Sequence, residues 1–133
     1  VAMGEGFDLE ARLELARVAA DRGEFDVALG ELAGLINSES SPIAAEALFA
    51  SAGVQRQLAA AARRSGDAAR VTDANAEARR LLKRLVLLYP FPQLEPLPQL
   101  SYLELADLAA ALGEPRETVH GELTELIDKY PDG

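Results

Sequence analysis

Apolar residues recur along this chain with the period of helices. Leu15, Ala16 and Ala19 precede Gly23; Ala28, Leu32, Leu35 and Ile36 follow it at spacings that place them on one helical stripe. Punctuation turns the stripes into elements. Asp8 is a candidate N-cap for a first helix to about Arg22, which Gly23 stops. A second helix is predicted from Phe25 to about Asn37. Ser41 is then a candidate cap for a third helix, with Pro42 at a first-turn position where its missing N–H costs nothing. That helix can run to about Arg64, and Gly53 can bend it. Gly66-Asp67 reads as a turn, and a fourth helix runs from about Ala68 to Leu88, ended by Tyr89-Pro90. Residues 90–100 hold four of the seven prolines and read as an extended connection packed by Phe91, Leu94, Leu97 and Leu100. Ser101 to Glu104 reads as a capping box opening a fifth helix to Leu112. Pro115 opens a sixth, ending at Tyr130-Pro131.

The same phrase recurs three times within this series. Leu15-Ala16-x-x-Ala19-x-x-x-Gly23 is matched by Leu58-Ala59-x-x-Ala62-x-x-x-Gly66 and by Leu105-Ala106-x-x-Ala109-x-x-x-Gly113. Each is followed by a second-helix stripe: Ala28, Leu32, Leu35 and Ile36; then Ala78, Leu82, Leu85 and Val86; then Val119, Leu123, Leu126 and Ile127. Small residues at these spacings let two helices joined by a short turn pack closely. Gly30 and Gly121 share a repeat position and suggest close approach of a neighbouring helix. The repeats span about 8–37, 41–90 and 101–131, and the middle pair is longer by about two helical turns. One all-α domain over 1–133, of about six helices in antiparallel hairpins with a long middle pair, is the expected architecture.

These residues resemble the tetratricopeptide repeat family: Leu-Ala, a small residue three positions on, Gly in the turn, then an aromatic (Phe25) and a small residue (Ala28) on the second helix. The middle repeat departs most, and the family's large aromatic early in the first helix is missing throughout. The resemblance implies a short superhelix that binds a partner protein or peptide. By repeat position it suggests Leu13 and Arg17, Arg56 and Arg63, and Leu103 and Asp107 as partner-binding residues. The Lys and Asn with which chaperone-binding members grip a terminal carboxylate are missing there. Tyr-Pro at the ends of repeats two and three is similar to repeats of bacterial envelope proteins. An alternative is thus a structural or oligomerising segment of a larger bacterial envelope assembly, with no peptide groove. The compartment stays open between periplasm or cell envelope and cytoplasm. The chain reads as a fragment of a longer array or a unit that self-associates through its exposed ends.

Composition adds an asymmetry. The net charge is −9, yet Arg56 to Arg84 carry eight basic and three acidic residues, or +5. Within it Arg79, Arg80, Lys83 and Arg84 form a basic stripe of i,i+4 pairs on the fourth helix. The stripe suits an acidic partner, or acidic groups on neighbouring helices. Nucleic acid is not expected, because the chain is acidic overall and no aromatic platform accompanies the stripe. Cys is absent and His120 is the only histidine, so no metal or other cofactor is expected. Carboxylate pairs such as Glu122/Glu125 have no base or nucleophile beside them, and no enzyme activity is expected. Apolar runs are too short to span a bilayer.

Overall fold

The computed structural model describes residues 2–130, with side chains from Asp8 onward. Six helices follow one another: α1 (Ala2–Asp21), α2 (Phe25–Ile36), α3 (Ser41–Ser65), α4 (Ala68–Leu88), α5 (Leu97–Ala111) and α6 (Arg116–Lys129). A single 3-10 turn, Pro92–Leu94, lies between α4 and α5, and there is no strand among the described residues. Each helix packs on the next in sequence. In addition α1 touches α3, and α3 touches α5, so the first helices of the three pairs lie side by side.

The three pairs turn on the same backbone device. Gly23, Gly66 and Gly113 have φ of +80°, +80° and +76°. These left-handed values are open to glycine at little cost. After each glycine the chain donates back into the finished helix. The N–H of Glu24, Asp67 and Glu114 bonds the carbonyl of Ala19, Ala62 and Ala109 at 2.9 Å in every case. The glycine N–H bonds Ala20, Arg63 and Ala110 at 3.0, 3.2 and 3.1 Å. This double bond pattern satisfies carbonyls that a helix end would otherwise leave orphaned. Asp67 also caps α4 through its side chain, accepting from the Arg70 N–H at 3.1 Å.

The repeated small and branched residues make the core. One cluster joins α1, α2 and the start of α3 through Leu13, Ala16, Ala28, Leu32, Leu35 and Ala47. The other joins α3, α4 and α5 through Leu48, Ala78, Leu82, Leu85, Leu105 and Leu108. Ile36 packs against both and links them. Ala16, Ala28 and Ala78 are wholly buried, as close helix contact requires. Fully burying one leucine is worth about 1.5–3 kcal/mol.

Several element boundaries differ from the sequence reading. Helix α1 starts at Ala2, so Asp8 is an exposed interior residue and not its cap. No proline interrupts 2–8, and helix once nucleated propagates readily. Ser40 precedes α3 and Pro42 is its second residue; Ser38 Oγ accepts from the Ser40 N–H at 3.1 Å. Helix α5 begins four residues upstream of Ser101, with Pro98 in its first turn and buried. Ser101 is therefore inside the helix, where its hydroxyl donates to the Leu97 carbonyl at 2.8 Å, and the capping box does not form. The extended connection shrinks accordingly to the residues around the 3-10 turn. A Cβ at Gly30 or Gly121 would meet nothing within 4 Å, so neither marks a close approach. A Cβ at Gly34 would lie 3.0 Å from Arg12 Nη2, the far end of a flexible side chain, so no helix backbone approaches closely there either. Tyr89 ends α4 as expected, whereas Pro131 lies outside the described residues.

Candidate functional site

The shared face of α1, α3 and α5 is built from three repeat positions. Glu10, Gly53 and Leu100 stand at the first, Glu14, Gln57 and Glu104 at the second, and Arg17, Ala60 and Asp107 at the third. They recur at i, i+4 and i+7 on each helix and so lie on one side of it. All are exposed except Glu104, which is half-buried.

Depressions run between the neighbouring first helices. One of about 320 Å³ lies between α1 and α3, bounded by Arg17, Asp21, Gly53 and Gln57, with Leu32 of α2 among its lining residues. A second, about 260 Å³, lies between α3 and α5, with Phe49, Gly53, Arg56 and Glu104 around Leu82 of α4. Leu32 and Leu82 occupy the same repeat position, so both depressions are lined by the matching second-helix leucine. A third, about 280 Å³, sits where Glu10, Glu14 and Arg17 face Pro42, Ile43 and Glu46. Gly53 belongs to both the first and second, and nothing approaches within 4 Å of where its Cβ would be.

Ion pairs cross this face. Arg17 of α1 donates to Glu46 of α3 at 2.6 Å and to Glu14 on its own helix at 2.5 Å. Burial by itself lowers the Arg17 guanidinium, but the hydrogen bonds from Glu14 and Glu46 outweigh it and hold it above its usual value. Arg56 of α3 pairs with Glu104 of α5. Such solvent-accessible pairs are each worth about 0.2–1 kcal/mol; they orient the side chains more than they hold the fold.

Of the residues suggested by the resemblance, Arg17 borders the α1–α3 depressions and Arg56 the α3–α5 one, while Asp107 is exposed on α5 and lines none of them. Leu13 is buried in the core, although its edge reaches the depression beside Pro42 and Ile43. Leu103 is exposed on α5 and lines none of these depressions. Arg63 stands seven residues beyond Arg56, about 10 Å further along the helix. There it borders a separate depression of about 300 Å³ at the α3–α4 turn, with Gly66, Ala68, Val71 and Thr72. Sequence reading missed Gly53, Gln57 and Glu104; the repeat register itself was the signal for them. Glu46 has no such signal, because it lies in the N-terminal extension of α3.

The basic stripe is divided. Arg79 pairs with Glu114 in the α5–α6 turn, and Arg80 with Glu77 at 2.5 Å. Lys83 and Arg84 enter no ion pair among the described residues, and neither do Arg63, Arg64 and Arg70 at the hairpin tip. Unspent positive charge therefore lies on α4 and the tip, away from the shared face. On the face, Glu10, Glu14, Asp21 and Glu46 outnumber Arg17 around the α1–α3 depressions.

Among the described residues no group of three or more His, Cys, Asp or Glu could hold a metal ion. No helix of the described residues is long and apolar enough to cross a membrane. Comparisons of the chain with family models, with curated proteins and with solved structures find no match. The resemblance to tetratricopeptide repeats therefore rests on the repeated residues alone.

Proposed function

We propose that the chain is a protein-interaction scaffold that holds a segment of a partner protein across the shared face of α1, α3 and α5. The observation that carries this reading is the pair of depressions meeting at Gly53. Each has an apolar wall and a charged rim, the pattern of a site that anchors a side chain and orients its neighbours. The carboxylates at the α1 end favour a segment with basic side chains there. An acidic partner, which the sequence suggested, is better matched by Arg63, Arg64 and Arg70 at the tip. A second reading, a structural segment of a larger bacterial envelope assembly, draws on the apolar ends of the helix stack.

Gly53→Gln tests the shared face without endangering the fold. It replaces a glycine by a stronger helix former in open space, so helix stability should rise while the depressions fill. Peptides selected from a random display library against the wild-type chain are expected to lose at least tenfold in affinity for Gly53→Gln. They should bind Arg63→Glu unchanged. Selected peptides that bind Gly53→Gln as well as wild type would sink the reading, as would selection that yields none.

A further inference from the structure

The two ends of the stack expose the residues that the interior buries. Leu105 and Leu108 of α5 are 1% and 0% exposed, in a helix that packs against α4. Their repeat equivalents on α1 are Leu15 and Val18, at 63% and 43%. No helix of the described residues packs on that side of α1. The other end behaves alike. Leu82 and Val86 of α4 are buried, in contact with α5, whereas their equivalents on α6, Leu123 and Ile127, are 37% and 65% exposed. Helix α6 has no fully buried residue at all.

The α4–α5 contact thus buries both kinds of stripe, and each end of the stack leaves one of them open. The one on α6 is a second-helix stripe. The one on α1 is the first-helix stripe that such a stripe covers elsewhere in the same molecule. We propose that α6 of one copy docks on α1 of a second copy, head to tail, continuing the stack between chains. The partner is a second copy because its α1 already carries the apolar residues, in the register that α5 presents to α4. The contact is heterologous, so every added copy leaves a fresh α1 and a fresh α6 exposed. It uses neither depression of the shared face, so it stands or falls apart from the groove.

Sedimentation of the 133-residue chain from micromolar to millimolar concentration tests this. The weight-average mass is expected to climb beyond twice the 14.2 kDa monomer without levelling at a dimer. Leu15→Gln with Val18→Gln removes one half of the contact, and Leu123→Gln with Ile127→Gln the other. These residues are surface-exposed and glutamine leaves the net charge unchanged, so each variant should keep its helical circular dichroism. Each alone is expected to stay monomeric. Mixed in equal amounts, the two should form a 1:1 dimer that grows no further, since one intact α6 meets one intact α1. A wild-type chain that stays monomeric throughout overturns the proposal. So does an α1 variant that still associates by itself, which would mean symmetric α6–α6 pairing, or a mixture that stays monomeric.

Discussion

Gly23, Gly66 and Gly113 do one job three times, and Gly53 does a different one. The first three hold φ near +80°, where an L side chain strains the backbone. Replacing any of them by alanine is expected to lower stability by about 1 kcal/mol, read as a drop in thermal midpoint of a few degrees. Gly53 lies inside α3 at ordinary helical angles with empty space around it, so Gly53→Ala is expected to raise stability by about 0.5–1 kcal/mol. If Gly53→Ala instead destabilises, a backbone approaches there that the chain by itself does not show. The contrast also separates glycines kept for a turn from one that leaves a surface open.

Among the elements, the α3–α4 hairpin departs most from its neighbours. Its helices have 25 and 21 residues, against 12 for α2 and 14 for α6. Residues 63–70 at its tip are all exposed, so the hairpin projects beyond the helices that flank it. The tip is built to end helices well. Arg63 and Arg64 sit in the last turn of α3, where the helix dipole favours cations, and Asp67 caps α4. Midway along α4, Glu77 accepts two hydrogen bonds from Arg80, at 2.5 and 3.0 Å. The hydrogen bond from Arg80 holds the Glu77 carboxyl below its ordinary range, against the opposing effect of burial. A carboxyl lowered in the folded state adds stability above its unfolded pKa, about 4.3. That stability is lost as pH falls through the folded pKa. Glu77→Gln is therefore expected to cost about 0.2–0.5 kcal/mol at pH 7 and nothing at pH 2. Chemical denaturation at the two pH values measures the difference; an equal loss at both would mean the carboxylate charge plays no part. At the far end of the fold, Lys129 Nζ donates to Tyr102 Oη at 2.8 Å and tacks α6 to α5. The nitrogen lies 5.4 Å from the ring centroid, in the direction of the phenol oxygen and not above the ring face, so the contact is a hydrogen bond more than a cation–π pair.

For the whole molecule, charge and apolar burial pull against each other. Copies carrying a net −9 repel, while the exposed α1 and α6 stripes draw them together. The repulsion is screened over about 10 Å at 0.1 M salt and over about 3 Å at 1 M, whereas the apolar contact is not weakened. Head-to-tail association is expected to strengthen severalfold between these conditions, measured as the concentration at which the weight-average mass doubles. Association that weakens with salt would point to ion pairing, for instance through Lys83 and Arg84, and away from the apolar ends. Within one chain the opposite signs are already matched: Arg56 and Arg79 of the basic middle meet Glu104 and Glu114 of the acidic third repeat.

The sequence by itself determined six helices and their pairing. The reason is local: 3.6-residue periodicity, three glycines that must turn and alanines that must pack are all properties of neighbouring residues. Helix starts were less legible. Ser101 and Asp8 have the chemistry of caps, but the helix continues through both, and at Ser101 the longer helix also buries Pro98. Only the tertiary structure decided which repeated positions are buried. Leu15 and Leu105 carry the same side chain at the same place in the phrase, yet one is open and the other sealed. The difference is the helix beside them, which no periodicity encodes. It likewise decided that Arg56 spends its charge on Glu104 while Arg63, one helical stretch further on, keeps its own. Ion pairing depends on distances between elements, and those are fixed only once the helices have packed.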